Sequence, residues 1–159
     1  MRITILCVGK IKEKFYREAL EEYQKRLSKY CKLEIIEVAD EKTPDKASAV
    51  EEELIKEKEA KRMLEKIKED SFVCTLEITG RRYSSESFAD FIEKKTIGGV
   101  SHICFVIGGS LGLHRSVCAR SDLALSFSDM TFPHQLMRVI LAEQIYRAFR
   151  IIHKEPYHK

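Results

Sequence analysis

Residues 102–115 read HICFVIGGSLGLHR, and the order of events in them decides the fold. From Ile103 to Ile107 the run is apolar without a break; Gly108 and Gly109 stop it, and Arg115 to Arg120 reads as a short helix. A strand that is apolar at every position has no face to offer to water. Such a strand belongs in a parallel sheet covered by helices on both sides.

The same pattern recurs along the chain. Ile3 to Val8 is a continuous apolar run ending at Gly9, and Leu33 to Val38 is a second strand. Phe72 to Ile78, closed by Gly80, is a third; with His102 to Ile107 as the fourth, Leu123 to Phe127 makes the fifth. Between the strands the apolar period changes to that of a helix. Tyr16, Leu20, Tyr23 and Leu27 share one face, supported by the i,i+4 pairs Glu21–Lys25 and Glu22–Arg26. Residues 47–68 place Leu54, Ala60, Leu64 and Ile67 inward, and Ser84 to Lys95 carries Phe88, Phe91 and Ile92. The last helix runs from Pro133 to about Ile152, with Thr131 able to cap it. Alternation of five strands and five helices predicts an α/β fold, a parallel sheet flanked by helices, in one domain over residues 1–159.

Composition narrows the class further. Hydrophobic residues make up 44% and charged residues 33%, the balance of a globular domain with a solvated surface. The net charge of +3 is too small to prove nucleic-acid binding, but its distribution is uneven. Residues 1–33 hold nine Lys or Arg against four Glu, whereas residues 41–70 are mildly acidic. The basic ends could cradle an anionic partner; ordinary solvated faces would look the same. No charged leader precedes an apolar stretch and no run nears the ~20 residues of a membrane span, so a cytoplasmic protein without membrane contact is expected. Cys7, Cys31, Cys74, Cys104 and Cys118 show no C-x-x-C spacing and read as reduced thiols, mostly small buried hydrophobes. The five histidines do not form H-E-x-x-H, and no metal site is expected.

In open α/β sheets, ligands collect outside the carboxyl ends of the strands. Three such ends are unusual here: LEITGRRYSS after strand three, VIGGSLGLH after strand four, and LALSFSDMTFPHQLMR at 123–138. The glycine loop fits neither phosphate template, because Ser110 stands where G-x-G-x-x-G needs glycine and no G-K follows. The third stretch supplies Ser126, Ser128, Asp129 and Thr131 with the apolar Met130 and Phe132, a mixture suited to an adenosine-sized ligand. Ser110, Asp129 and His134 could compose a hydrolase, but the chain lacks the G-x-S-x-G elbow. Apolar residues surround most of the last helix, more than one sheet face requires. Either it is deeply buried in the monomer or it meets a second copy; the surplus favours a homodimer. The tail IIHKEPYHK ends beyond Pro156 and, read by itself, is a fraying terminus.

Taken together, IGGSLGLH, LSFSDMTFPHQLMRVILAEQIYRA and the terminal PYHK resemble the small bacterial SPOUT-class methyltransferases that modify a pseudouridine at N3 in 23S ribosomal RNA, the RNA methyltransferase H family of the large subunit. The resemblance extends over essentially the whole chain. It implies a C-terminal trefoil knot, which ordinary topology rules argue against, an S-adenosyl-L-methionine site in that knot, and a homodimer. By position, it implies that the cofactor site includes Leu76, Gly108, Phe127, Ser128, Asp129, Met130, Thr131 and Phe132. The transferred methyl is already activated, so the enzyme's work is to align N3 and stabilise the charge left when N3 loses its proton. His134, Arg138, Tyr157 and Lys159 are the candidates for that work, and the resemblance brings the tail near the partner subunit's cofactor. Some relatives end in Tyr-His-Arg; Lys159 keeps the cation without the planar fork. The competing reading is a ribosome-associated protein that binds a nucleotide-like ligand without chemistry.

Overall fold

A computed structural model describes all residues, 1–159. Its elements run β1 (Arg2–Val8), α1 (Lys14–Leu27), β2 (Lys32–Val38), α2 (Ala49–Leu64), β3 (Phe72–Arg82), α3 (Ser85–Ile97), β4 (His102–Ile107), α4 (Arg115–Arg120), β5 (Leu123–Ser126) and α5 (His134–Ile152). The five strands form one sheet in the order β2-β1-β4-β3-β5, and every pairing is parallel.

The period of two along the strands sorts their side chains into two cores. Ile3, Ile5, Cys7, Ile103, Phe105 and Ile107 face one layer, made by α1, α3 and α5. Leu6, Val8, Cys104 and Val106 face the other, where α2 brings Ala60 and Met63 and α4 brings Val117. Both faces of β1 and β4 are therefore dry, which is why these strands are apolar apart from Arg2, Thr4 and His102. His102 is buried against the hydroxyl of Thr4 at 2.9 Å, and burial pushes its pKa below the ordinary histidine value.

Several expectations need correction. Strand three does not close at Gly80. It bulges over Glu77–Gly80 and resumes, so that Leu76 and Arg81 both stand opposite Leu125. A Cβ on Gly80 would lie 2.7 Å from the Ala124 backbone carbon, so the bulge can fold onto β5 only with glycine there. Helix α2 is shorter than 47–68. Ser48 caps it in a reciprocal box with Glu51, and it ends at Leu64, where the Glu65 N–H bonds the Lys61 and Met63 carbonyls. Leu54 is 51% exposed, and Met63 takes the inward place instead. Thr131 does not cap α5; the cap residue is Pro133 and no side chain caps that end.

The last helix is less of a surplus than its composition suggests. It lies between α1 and α3, where Leu141, Ala142, Ile145, Ala148 and Phe149 are buried within this one chain. The apolar residues still half-exposed on it include Leu136, Val139 and Ile140. All five cysteines are free thiols, four of them buried. No helix is long and apolar enough to cross a membrane, and no group of three or more His, Cys, Asp or Glu side chains could hold a metal ion.

Candidate active site

Three loops at the carboxyl edge of the sheet enclose a cavity of about 150 Å³. The β3 bulge supplies Leu76, Glu77 and Ile78. The glycine loop supplies Ile107 to Gly109, Gly112 and Leu113. The third wall comes from the end of β5 and the start of α5: Leu125, Phe127, Ser128, Met130, Thr131, Phe132, His134 and Met137.

The glycine loop is a hairpin folded on itself. Gly112, at φ +81°, donates its N–H to the Gly109 carbonyl at 3.1 Å. A Cβ on Gly108 would stand 2.8 Å from the backbone carbon of Gly112. Glycine is required at 108 by the loop's own backbone, before any ligand is considered. Beneath the loop lies Glu59, buried, accepting from the Glu41 N–H at 3.1 Å; burial raises its pKa above the ordinary carboxyl value.

The polar residues after β5 each have a task. Ser126 is buried and donates to the Ile78 carbonyl at 2.8 Å, tying β5 to the bulge. The Ser128 hydroxyl accepts from the Met130 N–H at 3.0 Å and holds the turn. Asp129 points out of the cavity and pairs with Arg82 on the far side of the bulge. It is the one residue of the sequence-derived cofactor set that is not in the cavity wall, since Leu76, Gly108, Phe127, Ser128, Met130, Thr131 and Phe132 all line it.

The four residues proposed for chemistry divide differently. His134 borders the cavity; burial, then the neighbouring Arg138, hold its pKa below 6.5. The shift favours the uncharged imidazole at neutral pH. Arg138 is not in the cavity. It is wholly buried, and its guanidinium donates to the Val8 and Gly9 carbonyls at 2.8 and 2.9 Å and to Glu37 at 2.9 Å. Its position on α5 suggested catalysis; its contacts make it the clamp between α5 and the end of β1.

Read by itself the tail was expected to fray; in the structure it packs against its own chain, outside that chain's cavity. Tyr157 packs edge-on against Tyr146 at 5.0 Å, under the guanidinium of Arg147, and donates its hydroxyl to Glu143 at 3.2 Å. Burial, with the Glu143 carboxylate, raises the Tyr157 pKa and keeps the phenol protonated. His158 meets Glu86 at 2.7 Å, and Lys159 is exposed.

Among the wall residues outside the sequence-derived set, Glu77 is the one that ionises. It accepts from the Thr75 hydroxyl at 2.6 Å, and with His134 it makes up the ionisable side chains of the wall. The signal was the bulge, which a run of β-formers ending in Gly-Arg-Arg does not announce. In one chain the cavity is thus apolar and hydrogen-bonding, with no cationic side chain in its wall.

A family model described as predicted SPOUT methyltransferase matches residues 1–158. The chain is 62% identical, over 159 residues and the full length of both proteins, to a protein of Clostridium botulinum (strain Hall) named ribosomal RNA large subunit methyltransferase H. A protein of the same name from Clostridium beijerinckii is 58% identical, again over the full length of both.

Proposed function

The chain belongs to the SPOUT methyltransferase family, and from that membership we propose that it is an S-adenosyl-L-methionine-dependent enzyme that methylates N3 of a pseudouridine in 23S ribosomal RNA. That it is a methyltransferase of large-subunit ribosomal RNA rests on full-length relatives of that name. The observation that carries the finer reading is the strand-end cavity. Three loops distant in sequence meet there, two of them built on close backbone contacts that only glycine allows.

The wall suits this donor. Leu76, Ile78, Phe127 and Met137 offer apolar surface, and the loop backbones offer N–H and C=O groups to a purine edge. There is no phosphate cradle, and this cofactor carries no phosphate. When bound, S-adenosyl-L-methionine supplies a methyl group activated by a sulfonium. The work of this chain is then to hold N3 in line with that methyl and to manage one proton. His134, held toward its uncharged form by burial, and Glu77, whose carboxylate accepts from Thr75 with one oxygen and keeps the other, are the wall groups able to accept the N3 proton.

Charge left on the base calls for a cation or a further donor, and one chain's cavity has no cationic side chain in its wall. The resemblance supplies it from the partner of a homodimer, through Tyr157 and Lys159 of the partner's tail acting in trans. A protonated phenol and an ammonium are suited to stabilise a delocalised imide anion. The same reading includes the trefoil knot formed by the C-terminal third and action on the ribosome in the cytoplasm. The test is methyl transfer from labelled S-adenosyl-L-methionine to isolated large subunits, whole ribosomes and naked ribosomal RNA, with the modified nucleoside identified by mass spectrometry. N3-methylpseudouridine in an assembled acceptor is the expected product. Binding of the donor with transfer to none of the three acceptors would overturn the reading.

A further inference from the structure

Beside the cavity mouth, the turn from β1 into α1 carries a feature the cofactor site does not use. Lys10, Lys12, Lys14 and Arg17 stand there with Glu13 as the single carboxylate between positions 10 and 17. Lys10, Lys12 and Lys14 are exposed, and only Lys14 has an ionic partner, Glu18 at 3.4 Å. Among them Phe15 is 60% exposed, its ring fixed against Tyr16 at 4.3 Å. An exposed aromatic by itself is unremarkable. An exposed aromatic beside two unpaired lysines, Lys10 and Lys12, has the composition of a nucleic-acid contact.

The turn is also rigid and tied to the site. The Ile11 N–H donates to Glu37 at 3.1 Å, and the Ile11 carbonyl accepts from Arg17 at 3.3 Å. The Lys12 N–H donates to Gln135 at 3.0 Å, one residue from His134 in the cavity wall. Helix α1 starts without a side-chain cap and without an acid in its first turn, so its free N–H groups add to the positive field.

We propose that Lys10–Arg17 is a docking ledge for the RNA acceptor, on which Phe15 stacks an unpaired base and Lys10 and Lys12 neutralise flanking phosphates. The inference rests on the reading of the chain as an RNA methyltransferase and adds to it the surface that presents the RNA to the cavity. Aromatic stacking keeps the strand open, and the lysines hold its backbone beside the donor.

The experiment measures binding of the full-length enzyme to isolated large ribosomal subunits over a salt series. Calorimetry of S-adenosyl-L-methionine and light scattering are run on the same preparations. Phe15→Ala is expected to weaken subunit binding roughly tenfold, and Phe15→Tyr to keep it. The double variant Lys10→Ala/Lys12→Ala is expected to lower the slope of log affinity against log salt by about 1.4 to 1.8. Donor affinity stays at the wild-type value in all three. Wild-type affinity and slope in the variants, with normal wild-type methyl transfer, would overturn the ledge alone. A Phe15→Ala variant that changes oligomeric state while the salt response is untouched would assign the surface to a second copy and also overturn it. Failure of the wild-type enzyme both to bind subunits and to transfer a methyl group would overturn the functional reading and the ledge together.

Discussion

Replacing Arg138 by Met separates a structural clamp from a chemical role. Met retains most of the buried stem and removes the guanidinium. Two buried carbonyls, those of Val8 and Gly9, then lose their charged donor, at about 1–3 kcal/mol each. Glu37 is 29% exposed, so it recovers water and keeps its bond to the Ile11 N–H. A partial offset exists, because the Arg138 Nε is itself buried without a partner and its desolvation is relieved. The sum is about 3 kcal/mol, at the low end of the ~3–5 kcal/mol typical when one partner of a buried pair is removed. Urea unfolding should show a lower midpoint with an unchanged slope. Glu37→Gln, which keeps a neutral acceptor, should cost less, and the double variant should be markedly non-additive. A loss below about 1 kcal/mol in Arg138→Met, with methyl transfer abolished, would refute the clamp and return the residue to catalysis.

Gly108→Ala should cut donor affinity severely while the sheet remains folded, because the new methyl meets the Gly112 backbone at 2.8 Å and must open the loop; near-normal calorimetry in a folded variant would refute the site. His134 titrates below its ordinary 6.5, so the unfolded chain binds its proton first; stability should be intact above that pH and fall as pH drops through the lower folded value, and His134→Gln should flatten that fall. Deleting Tyr157–Lys159 forfeits the contacts with Tyr146, Arg147, Glu143 and Glu86 and should cost about 2 kcal/mol, yet methyl transfer should collapse. A mixed dimer of this deletion with a Gly108 variant should recover part of the activity if the tail works in trans. Ile140→Asp, on the half-exposed side of α5, should yield a folded monomer by sedimentation, whereas Ile145→Asp, at 0% exposure, should unfold the chain.

What the sequence announced well was whatever depends on local pattern. The continuous runs at Ile3–Val8 and His102–Ile107 read as buried parallel strands because each strand has a helical layer on both faces. The loop residues lining the cavity were legible for a related reason: polar groups at a strand end exceed what a turn needs. Contacts between distant segments were not legible. Arg138 reads as a site candidate about one turn into the last helix; only the fold brings it under the carbonyls of residues 8 and 9. The β3 bulge was hidden because Gly80 followed by Arg81 and Arg82 looks like the end of a strand, whereas the chain resumes pairing there at the close pass of β5. Tyr157 carried no periodicity, yet it finds Tyr146 and Glu143 because the chain turns back after α5, where Lys154 takes φ +54°.

The position of α5 has a consequence for the order in which the molecule can form. It is the last helix to be synthesised, and it fills the space between the two earlier helices α1 and α3. Until Leu141, Ile145 and Phe149 arrive, the sheet face carrying Ile3, Ile5 and Phe105 lacks part of its cover. The Arg138 clamp to residues 8 and 9 likewise joins nearly opposite ends of the chain. Contacts of such long sequence separation slow folding, because the intervening loop must close before they form. The nascent chain therefore holds a half-covered apolar sheet until α5 has emerged and docked, and in that interval it is most prone to aggregate.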